Sequence, residues 1–590
     1  MFLRAKRRFK DGKEHRYWSI VESRRVAQGR MVQRQVLYLG EINDSQQSSW
    51  CRAIEVFDEA KGESQQIALF PEDRKPPELL CDTVQVKINE LRLMRARQWG
   101  GCWLALHLWD SLDLDGFWED KLAPSRKGTR WLNVLKTLVC YRLIAPGSKW
   151  RLHRQWYEHS AMGDLLGEDL SLVQIDTLYR CLDKLIAHKT ALFSHLTERW
   201  KTLFNARFDV LLYDLTSTYF ECHPPEDSKR TFGYSRDKRP DCVQVVIALV
   251  VTPDGFPIAY EVMPGNTSDK ATLKGFLAKV ETQYGNVNRI WVMDRGIPTE
   301  ETLAEMRQAN RPVSYLVGTP KGRLTKLEKQ FLSLDWQTVR ASVQVKLLQL
   351  DSEVYVLARS PMRVEKERQM RLRRLRQLIK RLRELQRQKL DRDSLLLKLG
   401  AAKKNAGQTY GLLRIRIPEK DEPINTETFT FKLDRMKLRH VRRREGKYLL
   451  RSNLTNEDPA KLWACYIQLT EIEQAFKELK CNLSIRPIYH QRDDRIEAHI
   501  FVAFLAYCLQ VTVKHRARTL APGLTPRAVL EKFSAMQMVD VHLPTADGRT
   551  LILSRYTEPE NDHKLLLEQL RLSLPAQPPP KITGTTTPAI

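Results

Sequence analysis

The sequence predicts an α/β protein built in several parts, and three observations point to it. Near residue 208 a long helical pattern gives way to "DVLLYDLTSTYF", in which Val210 and Leu212 face one side and Leu211 and Tyr213 the other, as in a central strand. From there to residue 320 the order reads three antiparallel strands, helix, strand, helix, strand. After roughly 140 residues of other pattern, an amphipathic helix appears in "ACYIQLTEIEQAFKELK", residues 464 to 480.

Composition narrows the class. The chain has 590 residues, 42% of them hydrophobic, ample for real cores. Lys and Arg total 97 against 71 Asp and Glu, a net charge of +26, which favours a polyanionic partner and nucleic acid first. A ribosome or a membrane surface stays open on charge alone. Ten scattered cysteines, without a C-x-x-C pair or a Cys/His cluster, exclude a disulfide framework and a zinc finger and fit a reducing cytoplasm. The start, "MFLRAKRRFKDGKEHRYW", has no secretory apolar core. The run "IFVAFLAYCLQVTV" from Ile500 is too short for a bilayer and reads as a buried helix, so no membrane partner is expected.

Residues 1–60 read as a basic β-rich region, with two strands from residue 15 to 40 around a turn at Gly29. The proline-bearing "AKGESQQIALFPEDRKPPELL" reads as a linker. Residues 95–205 are helical in period, as in "RWLNVLKTLVCYRLI", and form either a DNA-binding helical domain or a plain bundle. Residues 206–320 and 456–520 make the central α/β unit. In it "CVQVVIALVV" and "FPIAYEVMPGN" are joined by a Thr-Pro-Asp-Gly hairpin turn, and "RIWVMD" ends just before a glycine turn. Thr299 is placed to cap the next helix, with Glu300 and Glu301 at the positive end of its dipole.

Residues 321–455 read as an insertion with strands such as "VQVKLLQL", "EVYVLARS" and "FTFKLD", and one basic helix. There Leu375, Leu378, Leu382 and Leu385 make a narrow stripe, which suits a solvated helix or a short coiled-coil arm; contact with phosphates is the alternative. Residues 521–590 form a C-terminal region whose tail, "PAQPPPKITGTTTPAI", has a disordered composition.

Three acids stand out by position. Asp214 ends the apolar run of a buried strand, Asp294 follows another strand, and Glu473 lies on the late helix. On that helix Cys465, Leu469, Ile472, Phe476 and Leu479 share an apolar face, while Glu471, Gln474 and Glu478 point away from it. Glu473 flanks the face in one file with Tyr466 and Lys480, each about 10.5 Å away. Carboxylates at such boundaries need a proton, a partner or a cation. Three oxygen donors without His or Cys suit Mg²⁺, and two such ions about 3.5 to 4 Å apart serve phosphodiester cleavage.

The stretches "LLYDLTSTYF", "PGNTSDKATL", "WVMDRGIPTEE", "YIQLTEIEQAFKELK" and "RPIYHQRDDRIEAHIFVAFLA" resemble the DDE transposases of bacterial insertion sequences. The resemblance covers roughly residues 205 to 515 and implies a ribonuclease-H-like catalytic domain with a strand-rich insertion. It implies Asp214, Asp294 and Glu473 as catalytic metal ligands for Mg²⁺, with Mn²⁺ as a substitute. Tyr466 and Lys480 fit the spacing of one branch around its glutamate and would touch DNA, as would Arg295; Leu469 stands where that branch has Arg. Asn266, Asp269 and His499 would be supportive, although a turn followed by a helix cap is the favoured reading of the first two and a hydrogen-bonded histidine on an apolar helix that of the third. The implied partners are inverted-repeat element ends, target DNA and a second copy of the chain, in a bacterial cytoplasm. Two rivals remain: a nuclease of the same fold that cuts without joining, and a transposase-derived DNA-binding protein without catalysis.

Overall fold

The computed structural model describes residues 2–10, 13–25, 31–41, 55–58, 63–66, 86–224, 226–284, 289–309, 312–340, 343–388, 390–420, 422–486, 488–545 and 548–583. At the amino end β1 (Phe2–Lys10), β2 (Lys13–Arg25) and β3 (Met31–Glu41) form an antiparallel meander, one strand more than expected. In β1 the consecutive cations Lys6, Arg7 and Arg8 interrupt the apolar and polar alternation of a strand. The expected turn at Gly29 lies outside the described residues. So does most of the expected linker, but β4 (Glu55–Asp58) pairs with β5 (Glu63–Gln66), which falls within it.

β6 (Arg92–Gln98) overlaps the start of the segment read as helical almost throughout, and it pairs with a strand near the other end of the chain. Helices then follow, among them Gly100–Ser111, Trp131–Ile144 and Lys189–Phe204. Their apolar residues, Trp109, Leu138 and Trp200 for instance, belong to the same continuous core as the central sheet.

That sheet has nine strands. Its heart is β7 (Val210–Phe220), β8 (Val243–Val251), β9 (Pro257–Pro264), β10 (Ile290–Met293) and β11 (Ser314–Gly318), in spatial order β11-β10-β7-β8-β9. β7, β8 and β9 are antiparallel neighbours, whereas β10 runs parallel to both β7 and β11. Burial on both faces explains the unbroken apolar runs: all of β8 is buried. Asp214 does not end its strand, as expected, but sits within it. β7 continues because "LTSTYF" stays paired with β8 as far as Phe220. Its other neighbour, β10, stops at Met293, so a notch opens beside Asp214.

The insertion is not a separate body throughout. β12 (Gln337–Arg340), β13 (Val343–Leu350) and β14 (Glu353–Arg359) extend the same sheet, joined to β11 through a strand at Lys447–Ser452. The basic helix Pro361–Arg387 buries Leu375, Leu378, Leu382 and Leu385 against Leu395 and Leu399 of helix Arg392–Ala406. The leucine stripe therefore serves a local helical hairpin rather than a solvated arm. β15 (Leu413–Arg416) and β16 (Thr430–Leu433) complete this lobe, and β17 (Lys447–Ser452) returns to the sheet.

The helix read as continuous from 464 to 480 is two helices, Pro459–Ile467 and Leu469–Lys477, followed by a wider π turn at Glu478–Asn482. Leu469, Ile472, Phe476 and Leu479 are buried as expected. Glu478 is buried rather than facing water, because the turn it opens packs against helix Asp493–Leu520, and it accepts from Gln474 at 2.9 Å. The apolar run from Ile500 lies in a helix, Asp493–Leu520, that is long and apolar enough to cross a membrane, yet 94% of its apolar window is buried within the protein. β18 (Gln537–Pro544) pairs with β6 on one side and with β19 (Thr550–Tyr556) on the other, and β20 (Lys581–Thr583) adds to β19 inside the tail expected to be disordered. The backbone oxygens of Pro575 and Pro578 accept hydrogen bonds from Tyr556 and Arg555, which fix that stretch despite its prolines.

Candidate active site

Strand register brings the two aspartates together. Tyr213 of β7 pairs with Met293 of β10 in parallel, and each is followed at once by its aspartate. Helix Leu469–Lys477 packs its apolar face on β7 and β8 and turns Glu473 to the same place. Asp214, Asp294 and Glu473 thus line one cleft of about 290 Å³. Asp294 and Glu473 are exposed to it, and Asp214 is half-buried.

The Leu215 amide donates to Asp214 Oδ1 at 2.7 Å. Burial, reinforced by the negative charges of Asp294 and Glu473, still pushes Asp214 up to about 7. Tyr466, at the end of the first of the two helices, donates from its hydroxyl to Asp294 Oδ1 at 3.2 Å. Its approach depends on Gly318, where a Cβ would collide with the tyrosine hydroxyl. Burial and Asp294 raise the Tyr466 hydroxyl well above its ordinary range. Among the described residues no three His, Cys, Asp or Glu side chains are close enough to encage an ion as they stand. The three acids face one another across the cleft.

Basic side chains form another wall. Arg295 follows Asp294 directly and is exposed. Arg363, from the start of the basic helix, lies 4.7 Å above the Tyr448 ring, and Lys447 stands beside that tyrosine. Sequence reasoning missed Arg363 and Lys447. No local pattern marks them, because they reach the cleft only when the insertion's strands join the sheet.

Other expected residues lie elsewhere. Lys480 is not in line with Tyr466 and Glu473; its ammonium binds Asp237 Oδ1 at 2.9 Å, and Arg486 meets the same oxygen at 2.5 Å. The π turn carries Lys480 to this buried cluster. His499 is a core residue: Nδ1 lies 2.7 Å from Lys149 Nζ and Nε2 3.0 Å from the Ile485 carbonyl oxygen, and burial holds it well below its usual range. Asn266 sits in a turn, its backbone amide donating to Thr231 Oγ1 at 2.8 Å, and Asp269 begins helix Asp269–Tyr284. Asn266 is not among the described residues lining the cleft. Glu471 pairs with Lys514 at 2.8 Å, away from the acids.

A mixed α/β sheet presenting acids and bases in one cleft defines a class of enzymes that work on phosphodiesters. Residues 209–509 match the transposase DDE domain, about half the chain, and the chain belongs to that family. Residues 3–65 match the N-terminal domain of the IS1634 family transposases. The protein is an insertion-sequence transposase, an enzyme of DNA cleavage and strand transfer. No curated protein matches it. A piggyBac transposase synaptic complex with hairpin DNA, solved by cryo-EM, aligns at 8% identity over 68% of this chain and 70% of its own, with a TM-score of 0.33.

Proposed function

We propose that the acidic cleft is the catalytic centre of this transposase and that the sheet order is that of a ribonuclease-H-like fold. The observation that carries the reading is the register that sets Asp214 beside Asp294 in parallel strands, with Glu473 facing them. Family membership brings a requirement for divalent metal ions. The donors fit: three carboxylates are hard oxygen ligands, and Asp214 stays raised by burial and by the charges of Asp294 and Glu473 although Arg236 and the Leu215 amide pull the other way. Asp214, Asp294 and Glu473 would hold two Mg²⁺ ions, with Mn²⁺ as substitute. When bound, the ions supply an activated water or 3′ hydroxyl and a counter-charge for the leaving oxygen. Tyr466 and the Leu215 amide orient the two aspartates. Arg295, Arg363 and Lys447 hold phosphates of the strand being cut.

In this reading residues 206–320 and 456–520 are the catalytic domain, and residues 321–455 are its insertion. Residues 1–60 add cations for the inverted-repeat ends. Residues 95–205 are a supporting bundle, a choice favoured by their shared core with the sheet. The enzyme acts as a homodimer in a bacterial cytoplasm, since two ends must be joined to one target.

The test incubates the full chain with labelled element ends, target DNA and Mg²⁺. Joined products are expected, lost in EDTA and lost in Asp294→Asn while end binding persists. Normal cleavage by Asp294→Asn would overturn the site. Cleavage without joining would name the nuclease, and binding without reaction the non-catalytic relative.

A further inference from the structure

The helix Arg435–Arg444, "RMKLRHVRRR", has no buried residue. Met436 and Val441 are exposed and Leu438 is only half-buried, so packing contributes little and something else must hold the helix. It is held at its ends. Asp434 caps it, accepting from the Met436 and Lys437 amides at 3.1 Å each. Glu445, just after it, is buried and bonded to Arg371 at 2.5 Å. Gly446 donates from its amide to Glu367 at 3.0 Å.

What those anchors display is a stripe of charge. At 100° per residue Arg435, Arg439, Arg442 and Arg443 fall within an arc of about 100°, over a length of about 12 Å. Among the described residues none of the four is in a salt bridge. Two pairs, Arg435 with Arg439 and Arg439 with Arg443, are four residues apart, where like charges repel. Arg435 also opposes the helix dipole, because the first turn holds no acid. An isolated helix would not be built this way, whereas a polyanion laid along the stripe removes each objection. DNA is at hand: Lys447 and Tyr448, which line the acidic cleft, follow the helix after a two-residue link.

We propose that this helix is a DNA-backbone contact that seats Arg435, Arg439, Arg442 and Arg443 on phosphates of the duplex leading into the cleft. The inference rests on the reading of the cleft as the place where DNA is cut. A stripe of about 12 Å spans about three steps of one strand at 3.4 Å per step. Contacts of this kind carry no base information, so they serve element ends and target alike.

The test measures binding in EDTA, by fluorescence anisotropy over a range of KCl, to a duplex cut from an element end and to a scrambled duplex of equal length. Changing the four arginines to Gln should flatten the slope of log affinity against log salt by about 3.6, at about 0.9 per lost phosphate contact, equally on both duplexes. The fourfold Lys variant should restore most of the slope, and melting curves should coincide. An unchanged slope would overturn the proposal. So would equal flattening in a matched Arg373, Arg374, Lys380 and Arg381→Gln variant, since charge anywhere on the insertion would then suffice. Binding without metal does not depend on cleavage, and a failure of the cleft itself would appear separately, as normal cutting by Asp294→Asn.

Discussion

Asp214→Asn should inactivate the transposase and at the same time stabilise it when metal is absent. In the folded protein Asp214 titrates at about 7 rather than the ordinary 3.8, chiefly because it is buried and faces Asp294 and Glu473. A raised carboxylate favours folding only while it is protonated. Its stabilising form is fully present below about pH 4 and is lost as the pH rises through 7, where the folded state must carry a buried charge that Arg236 and the Leu215 amide offset only in part. A shift of about three units at about 1.4 kcal/mol each sets a ceiling of about 4 kcal/mol, and residual water contact brings the expected value to about 2 kcal/mol. Asn keeps the shape and the oxygen that accepts from Leu215 but carries no charge. In EDTA at pH 8 the Asn variant should therefore melt above wild type, the gap narrowing toward pH 5 and closing near pH 4. Mg²⁺ should raise the melting temperature of wild type and leave the variant almost unmoved. Equal melting temperatures at pH 8, or a gap that does not shrink with acid, would refute the electrostatic account of the cleft.

Of the glutamates on helix Leu469–Lys477 and the turn after it, Glu473→Gln should abolish cleavage and joining without lowering the melting temperature, in side-by-side assays on one set of ends. Glu471→Gln, losing a surface pair with Lys514, should keep activity and shift stability by no more than about 1 kcal/mol. Glu478→Ala should also keep activity yet destabilise by about 1–3 kcal/mol, since it removes a buried group that accepts from Gln474 at 2.9 Å. Lys480→Met should lower the melting temperature more than it slows cleavage, and adding Asp237→Asn should recover part of the loss; a pure activity defect would place Lys480 on DNA after all. Arg363→Met should slow single-turnover cleavage about 10- to 100-fold with melting unchanged, and an unaltered rate would remove it from the phosphate wall.

Much of this site was legible in the order of elements, because that order depends on local pattern. The apolar run before Asp214, the short strand before Asp294 and the Thr299 cap, which accepts from the Thr302 amide at 3.0 Å, are all decided within a few residues. What pattern could not give was anything decided by a partner strand or a turn of unusual width. Asp214 looked like a strand end because the apolar run stops there, yet pairing with β8 carries the strand on, and the opening that matters comes from the early end of β10.

The helix of Glu473 shows the same limit more sharply. Ideal geometry put Tyr466, Glu473 and Lys480 on one straight file, and the fold satisfies only part of that file. A break at Gln468 leaves Tyr466 on the preceding helix, where Gly318 lets its hydroxyl reach Asp294, so the tyrosine and the glutamate still meet in one cleft. After Lys477 a π turn follows in which Lys480 binds Asp237, while Glu478, packed under helix Asp493–Leu520, is buried. Neither break is marked by Pro or Gly; both answer to packing on β7, β8 and the buried helix Asp493–Leu520. Leu469 now has a structural counterpart as well. It stands on the cleft wall without a charge, and Arg363 of the insertion supplies a guanidinium to that same cleft from a position more than a hundred residues earlier. A cation absent from a local motif is thus present in the site, delivered by strands whose pairing no local pattern announces.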